Sequence, residues 1–154
     1  IGGGGHNMAA GFTLNKESLK DFEDYILKDF LNSNSTNDHA YSYESEVSSL
    51  AFNKDFYNNI KRLEPFGIGN SVPTFLLRDF KILKPIILNN KHISTILKSK
   101  KGFSIKAISF NSINTKIGEY LMNYKNNINV IGQINENIWN NKKNLQLTIR
   151  DLIL

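Results

Sequence analysis

Cysteine is absent from the 154 residues. Its absence excludes a disulfide framework and any thiolate metal site, and it fits a reducing compartment, so a cytoplasmic location is expected. No apolar run approaches the roughly 20 residues that span a bilayer, and no basic-then-apolar leader opens the chain, so no membrane association is expected. Positive charge is scarce over the first 60 residues, which carry four lysines against nine acidic residues, a net −5. Residues 61–154 reverse the balance with fifteen Lys or Arg against five acidic residues, a net +10. The second part is therefore where a polyanion would bind, although an AT-rich genome would also enrich a merely solubilising surface in lysine. Enough remains to fold: 40% of the residues are hydrophobic and 11% aromatic, the composition of a globular protein.

What the chain does have opens it: Gly2-Gly3-Gly4-Gly5-His6-Asn7-Met8-Ala9-Ala10-Gly11. Glycines take positive φ and turn successive N–H groups to one side, which makes a concave anion site, and the His6 imidazole at the rim could donate to a phosphate oxygen. A flexible linker has the same composition, and the run alone does not separate the two. Because the chain begins with Ile directly at this run, it is expected to be the tail of a longer protein. Residues 11–14 then read as a short strand, and Asn15 as the N-cap of a helix with Leu19, Phe22, Ile26 and Phe30 on one face. Residues 32–37 are a polar loop, 40–44 alternate like an edge strand, and Asn53 caps a second helix carrying Phe56, Ile60 and Leu63. Residues 1–60 thus make half of an α/β layer.

Residues 63–75 form a rigid connector, in which Pro65 ends the helix, Gly67 and Gly69 permit turns and Pro73 imposes extended chain. Beyond Thr74 the apolar period falls to two. Strands are expected over 75–84, bent near Arg78-Asp79 where the alternation slips, over 92–98 after an Asn89-Asn90 turn, and over 103–110. A helix through Ile113, Ile117, Tyr120, Leu121 and Tyr124 follows. Strand 128–139 then leads through a turn at 140–143 to a last strand, where Leu145, Leu147 and Ile149 alternate with Gln146, Thr148 and Arg150. The order βββαββ is that of an OB-fold, a five-stranded barrel that commonly carries single-stranded nucleic acid. The expected fold class is α+β, a partial α/β domain followed by an OB-fold barrel.

Two stretches carry a family resemblance. Gly4-Gly5-His6-Asn7-Met8-Ala9-Ala10-Gly11 resembles the substrate-binding motif of the DHH-associated domain of the DHH phosphoesterases. Leu63-Glu64-Pro65-Phe66-Gly67-Ile68-Gly69-Asn70-Ser71-Val72-Pro73 resembles the Leu-Glu-Pro-Phe-Gly-x-Gly-Asn-Pro-x-Pro signature of the RecJ family of single-stranded-DNA-specific exonucleases, with Ser71 in place of its first proline. His92-Ile93, Ala107-Ile108-Ser109-Phe110, Asn137-Ile138-Trp139-Asn140 and Leu145-Gln146-Leu147-Thr148-Ile149-Arg150-Asp151 are similar to that family as well. The chain is identified as the C-terminal region of a member, with the resemblance running from Gly4 to Asp151. The resemblance implies that residues 1–60 end a DHH-associated substrate-binding domain and that 61–154 are a linker and an OB-fold. It implies a 5′-to-3′ exonuclease of DNA repair and recombination whose Mn²⁺ or Mg²⁺ is held in a DHH domain upstream, with no cofactor and no catalytic residue in the present stretch. It assigns the grip on substrate phosphate to Gly4, Gly5, His6, Ala9, Ala10 and Gly11.

No substitute metal constellation is visible: the three histidines are far apart, and Asp38-His39-Ala40 is an acid-histidine pair in a polar loop rather than a DHH motif. Candidate phosphate neutralisers on single-stranded DNA are Arg78, Lys81, Lys84, Lys98, Lys100, Lys101, Lys106, Lys142, Lys143 and Arg150. Phe103 and Trp139 are either stacking faces or packing residues, and His92 reads as structural. A non-catalytic module binding single-stranded nucleic acid, or a protein partner such as a single-stranded-DNA-binding protein, would use the same basic face. A small-substrate phosphodiesterase or an alanyl-tRNA editing protein would share the glycine-histidine motif. Neither of the last two typically joins the 63–75 signature to an OB-fold.

Overall fold

A computed structural model describes residues 2–6, 9–32 and 42–154, which fall into two units, Ile1–His39 and Ala40–Leu154. In the first unit β1 (Gly2–His6) and β2 (Ala9–Thr13) form an antiparallel ribbon, followed by α1 (Leu19–Asn32). Asn15 stands at the expected cap position, but its side chain makes no capping bond, and a 3₁₀ turn over Lys16–Ser18 leads into α1 instead. The rings of Phe12 and Phe22 lie 4.5 Å apart. No described residue of this unit is buried, and Leu19, Ile26 and Phe30, the predicted apolar face, are exposed. The polar loop expected over 32–37 lies, after Asn32, outside the described residues.

In the second unit the edge strand is displaced from its expected place. Ala40 and Tyr41 lie outside the described residues, Ser42–44 are not strand, and β3 is the two-residue Ser45–Glu46, parallel to the start of β4. The reason is local: the Glu44 N–H donates to Thr74 O and the Val47 N–H to Leu76 O, which fixes the pairing just after the alternating stretch. Asn53 caps α2 (Lys54–Lys61) as expected, its side-chain oxygen accepting from the Phe56 N–H at 2.9 Å. Phe52 and Ile60 are buried in the same core as the barrel strands. Residues 42–60, grouped by the sequence with the preceding segment, therefore pack with the barrel.

The connector is held by Asn70, whose side-chain amide donates to the carbonyls of Leu63 and Pro65, both at 2.9 Å. Five strands follow: β4 (Phe75–Leu88), β5 (His92–Ser99), β6 (Ser104–Ser109), then α3 (Lys116–Asn123), β7 (Ile128–Trp139) and β8 (Lys142–Ile153). They pair in the order β4-β5-β6-β8-β7, and β4 also pairs with β7, which closes the barrel. The bend in β4 makes closure possible. Its first residues pair with β7 and those from Phe80 onward with β5, and the register shifts between Leu77 and Phe80, where Asp79 takes φ +63°. β4 continues past its expected end to Leu88, because Pro85 sits where the register shifts between Leu83 and Ile86 and removes no ladder bond there. The β7–β8 turn is the pair Asn140-Asn141, both with positive φ, as a tight hairpin requires. Lys142 and Lys143, expected in that turn, already belong to β8.

Inside, Leu77, Phe80, Ile93, Leu97, Ile105, Val130, Ile134 and Leu147 form the core. Leu121 of α3 is completely buried against it. Helix α3 approaches so closely that a Cβ on Gly118 would lie 2.0 Å from the Ser112 carbonyl oxygen.

Candidate nucleic-acid interface

Strand alternation decides which lysines face out. Ile82, Leu97 and Ile105 point into the core, so their neighbours Lys81, Lys98 and Lys106 stand on the outer face of β4, β5 and β6. Lys81 pairs directly with Lys98, and Lys106, opposite Ile96, is the diagonal neighbour of Lys98. Opposed like charges on adjacent strands are destabilising. Among the described residues none of these three is in an ion pair with an acid, so a phosphate chain would supply the missing countercharge.

The remaining predicted cations are placed differently. Arg78 Nε donates to Glu46 Oε2 at 2.7 Å, which raises the Arg78 pKa, and Lys100 Nζ lies 2.9 Å from Asp79 Oδ2. The Lys100 hydrogen bond, acting against partial desolvation, holds the Asp79 carboxyl below the usual carboxylate range. These two pairs and Lys101 line a cavity of about 280 Å³ beside Ser48 and Ser49. Lys143 lies 3.4 Å from Glu136. Arg78, Lys100 and Lys143 thus have acidic partners. Lys84 sits exposed at the β4 bulge with φ +49°, and Lys142 at the far hairpin, where its backbone pairs with Trp139. The side chain of Trp139 lies outside the described residues. Phe103 is half-buried and packs on the core, so packing is its role here. His92 accepts a hydrogen bond from the Asn111 N–H at Nδ1, 2.9 Å, in keeping with a structural histidine.

The glycine motif is shaped otherwise than expected. Gly2 to Gly5 are extended, not in positive φ, and pair with β2, Gly4 opposite Gly11, Gly5 opposite Ala10 and His6 opposite Ala9. A Cβ on Gly5 would meet Ala10 at 2.7 Å, so close strand approach is the physical need for glycine there. Gly4, Gly5, His6, Ala9, Ala10 and Gly11 therefore lie together on an exposed ribbon, not in a concave loop. They are in the first unit, and the barrel lysines are in the second.

The RecJ OB domain profile matches residues 43–151, well over half of the chain. The chain belongs to the RecJ family. Its match to the single-stranded-DNA-specific exonuclease RecJ of Bacillus subtilis is 25% identical and takes in 96% of this chain and 19% of that protein. The match to the enzyme of the same name from Haemophilus influenzae is 32% identical over 74% of this chain and 20% of that one. Crystal structures of Thermus thermophilus RecJ with Mg²⁺ and with Mn²⁺ superimpose with TM-scores of 0.61 and 0.62 at 20% identity, covering 100% and 99% of this chain and 23% and 22% of that one. The chain thus spans about a fifth of the length of the relatives it matches, and its RecJ OB domain is the closed barrel described above. Among the described residues no three His, Cys, Asp or Glu gather where they could hold a metal.

Sequence reasoning missed how acids divide the basic residues of the RecJ OB domain. Asp79 and Glu46 are distant from their partners in sequence or set by a bulge, and only the β3–β4 pairing brings Glu46 to Arg78. It also missed Phe110, exposed at the end of β6 against His92 with ring centroids 5.2 Å apart. The available signal was the outward parity of Phe110 in an alternating strand.

Proposed function

We propose that the outer face of β4, β5 and β6 binds single-stranded DNA, and that the chain is the C-terminal part of a metal-dependent 5′-to-3′ exonuclease acting in repair and recombination. The observation that carries the reading is the contiguous trio Lys81, Lys98 and Lys106, free of acidic partners among the described residues, on the outside of a RecJ-type OB barrel. In this reading Mn²⁺ or Mg²⁺ is held by a DHH domain of the longer protein, and this chain alone cleaves nothing. Residues 1–39 are read as the end of the DHH-associated domain, with the ribbon bearing His6 turned to the phosphate of the strand being cut. The uncovered apolar residues of α1 support that reading, since a helix of this composition is stable when its apolar face is covered.

Titration of a labelled oligothymidylate with the 154-residue chain over a salt series tests the binding face. Each phosphate contact adds about 0.7 to the slope of log affinity against log salt on a single strand. The triple variant Lys81→Ala, Lys98→Ala, Lys106→Ala is expected to lower that slope by about 2 and to weaken binding at low salt, with the melting temperature kept or raised as the like-charge repulsion is relieved. An unchanged slope would move the DNA to another face.

A further inference from the structure

At the end of the barrel face away from Lys98, β5, β6 and β8 bring three side chains to one place. Phe110 follows β6 with outward parity and is 54% exposed, and its ring meets His92 in a T-shaped contact at 5.2 Å. His92 cannot turn away freely, because its Nδ1 is held by the Asn111 N–H. On the neighbouring strand Ile108 is level with Thr148 in parallel register, so Arg150, two residues on, stands beside Phe110. Phe110, Asn111, Ser112 and Arg150 line one cavity of about 260 Å³.

Arg150 is prepared for an anion in a way that Arg78 is not. Its Nε and Nη2 both donate to Gln133 Oε1, at 3.2 and 2.8 Å. Gln133 is itself anchored, its Nε2 donating to Val72 O at 3.0 Å and to Thr74 Oγ1 at 3.3 Å. The guanidinium is thus oriented by a neutral amide, and among the described residues no carboxylate neutralises it. A fixed, uncompensated guanidinium next to an exposed aromatic ring is the pairing that takes a phosphate and a base together. The cavity is slightly below the roughly 300–1,000 Å³ of small-molecule sites, which suits one nucleotide unit better than a whole cofactor.

We infer that Phe110, buttressed by His92, and Arg150 form a single-nucleotide site of the barrel, Phe110 stacking one base and Arg150 holding a neighbouring phosphate of the same strand. The inference rests on the proposed binding of single-stranded DNA and adds to it where a base is gripped. Along β5, Lys98 and His92 are six residues apart, about 20 Å at the rise of a strand. Lys106 is four residues from Phe110, about 13 Å at the same rise, and none of the three lysines lines the cavity of Phe110 and Arg150, so the two can be tested apart.

The experiment compares the 154-residue chain with Phe110→Ala, Phe110→Leu, Phe110→Trp and Arg150→Gln on an oligothymidylate and on the same oligomer with abasic sites throughout. Loss of the ring is expected to weaken binding of the intact oligomer about 5- to 150-fold, with the salt slope unchanged. Phe110→Leu, which keeps an apolar side chain and guards against a folding defect, should lose as much affinity as Phe110→Ala, and Phe110→Trp should restore it. On the abasic strand the difference between wild type and Phe110→Ala should vanish, while Arg150→Gln should lower the salt slope by about 0.7 on both strands. If Phe110→Leu binds like wild type, or if the abasic strand shows the same loss, stacking at Phe110 is wrong while the lysine face stands. If Arg150→Gln leaves the slope unchanged, the phosphate contact is wrong. Wild-type chain that binds neither strand overturns the binding face and this site together.

Discussion

Asp79 shows how one residue can serve both the backbone and the charge pattern. Its φ of +63° makes the bend that lets β4 pair with two strands, and its carboxylate holds Lys100 at 2.9 Å. Asp tolerates the left-handed region better than most residues, and so does Asn, which makes Asp79→Asn a clean removal of charge. The folded-state pKa of Asp79 is depressed, chiefly by the Lys100 hydrogen bond. A depressed carboxyl contributes stability above its unfolded pKa and loses it as pH falls through the folded one. Wild type is therefore expected to melt slightly above Asp79→Asn at neutral pH, with the gap narrowing as pH falls through the usual carboxylate range and gone below the depressed folded-state value. Thermal melts of both proteins from pH 7 to pH 2 check this, and a gap that closes near neutrality would assign the effect elsewhere. At this scale the sequence was legible where chemistry is local. Asn53 at its helix start needs only the Phe56 N–H three residues on. It was illegible where a partner comes from afar, as with Arg78 and Glu46, or where an aromatic such as Phe103 could equally stack or pack.

Among the elements, the barrel strands were the most readable, because a period of two with one buried face leaves little freedom of register. The slip of alternation at Arg78-Asp79 marked the bend correctly. The expected end of β4 at residue 84 fell four residues short, because the strand runs on through the bulge at Pro85 to Leu88. The glycine ribbon misled for a different reason: glycine permits both a concave loop and a close strand pair, and only the partner residues Ala9–Thr13 decide between them. Helix α3 is the element whose position depends most on a single atom that is absent. Gly118 lets its first turn rest on Ser112, and Thr115 caps the same turn by accepting from the Gly118 N–H at 3.2 Å. A methyl group there must displace the Ser112 backbone or the helix. Gly118→Ala is expected to destabilise the chain by about 1–3 kcal/mol despite the better helix propensity of alanine, as measured by denaturant unfolding. A neutral or stabilising result would mean that α3 is free to shift outward.

For the whole molecule, the charge split is the functional signal that owes nothing to relatives, and the structure refines it. Of the ten cations named as phosphate neutralisers, Arg78, Lys100 and Lys143 have acidic partners, whereas Lys81, Lys98 and Lys106 cluster on one face without any among the described residues. Charge alone would favour duplex DNA, whose two strands carry one charge per about 1.7 Å of axis. A preference for single strands needs something that reads an exposed base, and an outward aromatic such as Phe110 beside a basic face is of that kind. The 154-residue chain is therefore expected to bind an oligothymidylate more tightly than a duplex of equal length, and to lose the preference when Phe110 is replaced by Ala but keep it when the three lysines are. Competition between labelled single-stranded and duplex oligomers at two salt concentrations measures both. Equal affinity for the two in the wild-type chain would mean that the barrel supplies charge only and does not itself select single strands.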